Sequence, residues 1–183
     1  MKQELEVIKQ NVINCTKCDL CKTRTNSVPG KGNFQSDVIF VGEAPGRNED
    51  KNGEPFIGIA GKKLSIALDE AGISRESVYI TNVVKCRPPN NRDPQDDEIE
   101  KCSAFLERQI SIIKPSVIIS LGRVSSQRLL GTEAPISRLR GQFFVYNGIP
   151  VMPTFHPAYL MRNPKAKWDT WSDAKKVLEK LKS

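Results

Sequence analysis

Apolar and polar positions follow two different periods along this chain. Residues 3 to 13 carry Leu5, Ile8, Val12 and Ile13 at three- and four-residue spacing, the stripe of an amphipathic helix. Val38-Ile39-Phe40-Val41, Val78-Tyr79-Ile80-Thr81 and Val117-Ile118-Ile119-Ser120-Leu121 are short runs rich in β-branched and aromatic residues, which predict buried strands. Between them the helical period returns, through Leu64, Ala67, Leu68 and Ala71, then through Ile99, Cys102, Phe105, Leu106, Ile110 and Ile113. Arg123 to Leu130 predicts another helix, Phe143 to Tyr146 and Val151-Met152 later strands, and Asp169 to Leu181 a closing helix. Alternation of strand and helix predicts an α/β fold, a three-layer α/β/α sandwich with a central, mainly parallel four-stranded sheet. Ligands of such folds bind beyond the carboxyl ends of the strands. Gly42-Glu43-Ala44-Pro45-Gly46 follows the first predicted strand, Asn82 the second, Gly122 the third, and His156 the Val151-Met152 segment, so four loops are expected to converge on one pocket.

Composition narrows the class. With 183 residues, 38% hydrophobic and 27% charged, the chain suits one globular domain over residues 1–183, without repeats or low-complexity linkers. Its net charge of +7 favours polyanionic partners. No apolar run is long enough to span a membrane, and Met1-Lys2-Gln3-Glu4-Leu5-Glu6 lacks the apolar core of a secretory leader. A cytoplasmic, monomeric protein with reduced cysteines is therefore expected, and the odd cysteine count of five fits one shared four-thiol site with one left over.

Candidate chemistry lies in four segments. Cys15-Thr16-Lys17-Cys18-Asp19-Leu20-Cys21 has the C-x₂-C-x₂-C spacing of ferredoxins, with Cys86 and Cys102 far downstream. Spacing alone nominates Cys21 as the third ligand and leaves structural zinc and an iron–sulfur cluster both open. The Gly42–Gly46 turn can bring backbone N–H groups and one carboxylate against a ligand, and there is no dinucleotide or phosphate-loop glycine motif. His156 sits in an expected loop braced by Pro157 and Pro164, and as the only histidine it excludes a histidine-rich metal site. Counting leaves a Ser-His-Asp triad open, but no G-x-S-x-G accompanies it. Lys85-Cys86-Arg87-Pro88-Pro89-Asn90-Asn91-Arg92-Asp93-Pro94 is basic and stiff enough to follow a DNA backbone, and is expected to end at a helix with Asp93 as N-cap and Pro94 at the first position.

Taken together, from about Cys15 to about Pro164, these residues resemble the iron–sulfur uracil-DNA glycosylases of the family 4 type, which are also similar to the amino-terminal region of a phage DNA polymerase. The resemblance is carried by Gly42–Gly46 with Glu49-Asp50, by Gly53-Glu54-Pro55-Phe56-Ile57-Gly58, by Ile80-Thr81-Asn82-Val83-Val84-Lys85-Cys86-Arg87-Pro88-Pro89, and by His156-Pro157-Ala158-Tyr159-Leu160.

The resemblance implies a 4Fe-4S cluster on Cys15, Cys18, Cys86 and Cys102, with Cys21 spare, which departs from the reading by spacing. It implies excision of uracil from single- and double-stranded DNA by base flipping. Phe56 would stack on the base, the Asn82 amide would read its polar edge, and backbone near Gly42 and Ala44 would complete the pocket. His156 would donate to uracil O2. The best-known uracil glycosylases carry an aspartate where this loop has Ala44, so the water-activating group is open between Glu43 and Glu49, and Glu49 is also placed to crowd C5 and reject thymine. Arg87, Asn91, Tyr159, Leu160 and Arg162 would meet DNA, with Leu160 or Met161 filling the vacated stack. A related branch bonds covalently to its abasic product through a histidine after the third cysteine; none stands here, so ordinary monofunctional turnover is expected. A noncatalytic iron–sulfur DNA-binding module accessory to a polymerase, and a zinc-stabilised α/β hydrolase, are the rival readings. Sliding-clamp contacts are not legible in the sequence.

Overall fold

A computed structural model describes residues 1–182. Six strands form one sheet: β1 (Lys31–Gly32), β2 (Val38–Gly42), β3 (Tyr79–Asn82), β4 (Val117–Leu121), β5 (Phe144–Tyr146) and β6 (Ile149–Thr154), in spatial order β1-β3-β2-β4-β6-β5. The expected four-stranded sheet is therefore corrected to six. Its parallel centre is β3-β2-β4-β6, and β1 and β5 are antiparallel additions at the edges. Two-residue β1 is too short to show a period, and its Gly32 leaves room for the backbone of Val78 and Tyr79 close by.

The helices are α1 (Lys2–Ile13), α2 (Leu20–Thr23), α3 (Arg47–Asn52), α4 (Ile59–Glu70), α5 (Asp96–Ile113), α6 (Arg123–Leu130), α7 (Ile136–Leu139), α8 (Pro157–Arg162) and α9 (Lys167–Lys182). Successive side chains of a strand point to opposite faces, and the two apolar clusters divide accordingly. Ile39, Val41, Ile118 and Val151 pack with Leu5, Ile8 and Val12 of α1, Leu106 and Ile110 of α5, and Leu129 of α6. Val38, Phe40, Ile119 and Met152 pack with Leu64 and Leu68 of α4 and Val177 of α9. Two helical layers thus enclose the sheet, which explains why its central strands are buried at every position.

Two local expectations change. Helix α5 begins at Asp96 rather than Pro94, because Gln95 and Glu98 form a reciprocal capping box. Asp93 instead pairs with Arg123. The segment around Tyr159–Arg162 is a short helix rather than a loop, started by Pro157 at its first position. No described helix is long and apolar enough to cross a membrane.

Candidate active site and thiol cluster

At the carboxyl ends of β2, β3 and β6 the chain leaves a cavity of about 460 Å³, within the size range of small-molecule clefts. Glu43, Ala44, Glu49, Phe56, Asn82 and His156 line it, with Asn91, Arg92 and Arg162 at its rim. Three of the four expected loops supply walls. Gly122 lies behind, where its N–H donates to the Thr154 carbonyl at 2.9 Å and anchors the end of β6.

Register explains how distant residues meet. Gly42 of β2 is paired with Asn82 of β3, and the Val83 and Val84 N–H groups donate to the Gly42 and Glu43 carbonyls at 2.9 and 3.1 Å. A Cβ on Gly42 would lie 2.3 Å from Asn82 Oδ1 and 2.5 Å from Phe56 Cζ. Only a glycine lets the amide and the phenyl ring approach over this strand end. Asn82 is 1% exposed, and its Oδ1 is one of two buried polar side-chain atoms among the described residues without a hydrogen-bond partner. Buried acceptors are ordinarily satisfied, so this one is poised for a donor that enters the cavity.

His156 caps α8, accepting the Ala158 N–H at Nδ1 over 3.1 Å. An accepting nitrogen carries no proton, so the neutral ring is protonated at Nε2. Burial pulls its pKa from 6.5 to about 4, against a smaller upward pull from Glu49. The imidazole is thus a neutral donor at physiological pH, lying 5.6 Å centroid to centroid from Phe56.

The two carboxylates differ. Burial and then neighbouring Asp93 raise Glu43 from 4.5 to about 7, with Arg123 opposing. Glu49, buried on α3, accepts the Ile57 and Gly58 N–H groups at Oε1 over 2.9 and 2.7 Å. One face of its carboxylate therefore holds the turn that leads into α4.

Of the expected DNA-contacting residues, Asn91 and Arg162 reach the cavity. Arg87 donates to Asn91 Oδ1 at 2.7 Å, stiffening the loop. Tyr159 is stacked on Phe155 with centroids 4.7 Å apart. Tyr159 and Met161 are exposed on α8, beside Leu160. Sequence reasoning missed Arg92, which is held by two bonds of 2.9 and 2.7 Å to buried Glu98. Its position six residues before an acid in a first helical turn was the available signal.

All five cysteines are free and line a second recess between α1, α5 and the segment after β3. Arg24 donates to Cys86 Sγ at 2.9 Å and to the Ile13 and Cys15 carbonyls at 3.0 Å each, joining the two cysteine-bearing segments. Burial pushes Cys86 up to about 11, despite the Arg24 contact, and also raises Cys18 and Cys102. Each of these three thiols is further raised by its cysteine neighbours. Next to them Lys85 is fully buried, donating from Nζ to Thr81 Oγ1, the Asn82 carbonyl and Gln109 Oε1 at 2.6 to 2.8 Å. Those acceptors are all neutral, so a negative group in the recess suits its charge. Among the described residues no three His, Cys, Asp or Glu side chains are arranged to hold a single metal ion.

An open sheet-end cavity with a partnerless buried amide oxygen, an aromatic ring and a neutral imidazole defines a site for a planar, hydrogen-bonding ligand. The chain belongs to the uracil-DNA glycosylase superfamily, whose family model, described as "Uracil DNA glycosylase superfamily", matches residues 29–182. Within it, this chain groups with the type-4 uracil-DNA glycosylases. It is 48% identical to the type-4 uracil-DNA glycosylase of Sulfurisphaera tokodaii, over 96% of this chain and 84% of that one. It is 46% identical to that of Archaeoglobus fulgidus, over 97% and 93%. A DNA polymerase of Bacillus phage SP01 is 34% identical over 74% of this chain but only 15% of its own length.

Proposed function

We propose that the protein removes uracil from DNA by hydrolysing its N-glycosidic bond, the first step in repairing deaminated cytosine. The observation that carries this reading is the partnerless Asn82 Oδ1 facing the cavity shared with Phe56 and His156. Uracil offers N3–H as donor and O4 as acceptor side by side, which an amide matches through Oδ1 and Nδ2. Cytosine reverses both roles and would leave two buried groups unpaired, at about 1–3 kcal/mol each. A base inside a duplex cannot reach this cavity, so the nucleotide rotates out, and Leu160 or Met161 of α8 enters the stack while Arg162 meets phosphate.

As the C1′–N1 bond breaks, its electron pair leaves with uracil and positive charge develops on the sugar. The neutral His156 Nε2–H donates to O2, where the leaving anion concentrates charge, and being preorganised it need not reorient in the transition state. Glu43, as carboxylate, orients a water toward C1′ and accepts its proton as the new C1′–O bond forms. Commitment of Glu49 Oε1 to two backbone N–H groups supports Glu43 over Glu49 for this role. Glu49 instead shapes the wall toward the C5 edge.

Cys15, Cys18, Cys86 and Cys102 are the residues that would hold a 4Fe-4S cluster, leaving Cys21 spare. The donor set fits: four gathered thiols, an Arg24 donor on one sulfur, and a buried Lys85 with only neutral partners favour an anionic centre. Such a group would tie the segment after α1, the Cys86 segment and α5 together. The partner is DNA, single- or double-stranded, approached by the Arg87–Pro94 loop and α8.

The test is incubation of purified protein with uracil-containing single- and double-stranded oligonucleotides, followed by alkali and gel electrophoresis. Cleavage at the uracil position is expected. Intact strands under all conditions would leave a DNA-binding module without catalysis.

A further inference from the structure

Phe56 enters the cavity from a left-handed backbone. Its φ is +51°, a left-handed conformation that an aromatic residue rarely adopts and that persists only where surroundings over-determine it. The surroundings here are specific. Arg75, in the 3₁₀ turn Arg75–Ser77 that follows α4, donates from Nη2 to the Pro55 and Phe56 carbonyls at 2.8 Å each. Its Nη1 donates to Ser65 Oγ on α4 at 3.0 Å, so the guanidinium is itself fixed. On the other side of Phe56, Glu49 Oε1 holds the next two N–H groups, of Ile57 and Gly58. Beneath it, a Cβ on Gly61 would sit 1.7 Å from the Phe56 carbonyl oxygen, so only glycine admits this turn.

We propose that Arg75 is a positioning residue for base recognition: its Nη2 group gathers the two carbonyls that pin Phe56 in its left-handed state, so the ring is presented to the flipped base without rearrangement. The inference rests on the reading of Phe56 as the stacking residue. It assigns a role in the excision reaction to a residue outside the cavity, which touches neither base nor sugar. A guanidinium suits the task because its plane fixes the two Nη2 N–H bonds on the carbonyls relative to the Nη1 bond that anchors it on Ser65, whereas a lysine ammonium is a point donor on a flexible stem. Glu49 and Arg75 together grip the turn from opposite ends, one on its N–H groups and one on its carbonyls.

The test is a double-mutant cycle on single-turnover excision, with Arg75→Lys, Arg75→Ala, Phe56→Ala and the two Arg75/Phe56 pairs, alongside thermal melting. Misplacement of a positioning contact by an ångström costs about 100-fold. Arg75→Lys, which keeps the charge, is expected to lose 10- to 100-fold in rate, and Arg75→Ala the same, with partial recovery on adding guanidinium ion. Either substitution should cost nothing further in the Phe56→Ala background, because the ring it positions is gone. Losses that multiply in the double mutants, or an Arg75→Lys enzyme as fast as wild type, overturn the proposal. If Arg75→Ala does not fold, Arg75→Lys with its double mutant decides alone. Wild-type protein that excises uracil beside an unimpaired Arg75→Lys removes only the clamp, whereas inactive wild-type protein removes the function and the clamp together.

Discussion

Glu43 sets a pH dependence that can be worked out in advance. Burial and Asp93 lift its pKa to about 7. If its carboxylate handles the water, the active fraction is about one hundredth at pH 5, one half at pH 7 and nine tenths at pH 8. The specificity constant kcat/KM for uracil excision should therefore rise about 50-fold from pH 5 to pH 7 and about twofold more above it. An acid at its ordinary 4.5 would already be about three-quarters ionised at pH 5, giving a nearly flat profile over the same range. His156 does not blur the picture, since its pKa of about 4 keeps it neutral throughout. Neighbours give the sign of two further shifts. Asp93→Asn removes a negative charge and moves the rise to lower pH; Arg123→Ala removes the opposing positive charge and moves it higher. The assay is single-turnover excision with enzyme in excess over DNA but below saturation, at constant ionic strength, from pH 5 to pH 9, on wild type, Glu43→Gln, Asp93→Asn and Arg123→Ala. A rise that survives in Glu43→Gln, or that ignores both neighbour substitutions, would refute the assignment of the water to Glu43.

Other consequences can be checked in parallel. His156→Ala should lower the single-turnover rate about 100- to 1,000-fold, the usual cost of losing one preorganised donor, with little change in DNA affinity; an equal loss in affinity would point to a binding role. Gly42→Ala places a methyl within 2.3 Å of Asn82 Oδ1 and 2.5 Å of the Phe56 ring, so excision should be abolished, read in the gel assay beside a melting curve that remains cooperative. Protein isolated anaerobically should be brown and contain iron; Cys86→Ser should lose it and Cys21→Ser should keep it, as measured by iron analysis and absorbance near about 400 nm. His156 also makes folding acid-sensitive: its folded pKa lies below the unfolded 6.5, so stability present above pH 6.5 is lost as pH falls toward 4, by at most about 3 kcal/mol, and urea midpoints of wild type and His156→Gln should converge at low pH.

What was legible in the sequence follows from which interactions are local. The central strands announce themselves through uninterrupted apolar runs, because both faces of β2 and β4 are covered by helices. Edge strand β1 has two residues and no apolar period, so it was out of reach, whereas β5 was expected as a strand at Phe143 to Tyr146 but left out of the four-stranded count. The Asp93 N-cap failed because Gln95 and Glu98 close a reciprocal box two residues later. Gly42, Asn82 and His156 could be placed at strand ends from alternation alone. Arg75 could not, because the Pro55 and Phe56 carbonyls it binds are brought near only by tertiary packing; Arg92 left only the faint signal of an acid six residues on, and the burial of Lys85 depends on Gln109 from a distant helix. The left-handed turn at Phe56 was equally hidden, since nothing in Pro55-Phe56-Ile57 favours it.

The central claim is that one amide, one ring and one neutral imidazole at the sheet end select and release uracil. Its most direct measurement is the identity of the base set free, by mass spectrometry, from three otherwise identical duplexes carrying uracil, thymine or cytosine at one position, treated with wild type and with Asn82→Ala. Wild type should release uracil alone, and Asn82→Ala should lose most of that release. Release of cytosine comparable to uracil, or an Asn82→Ala protein as active and selective as wild type, would contradict the account.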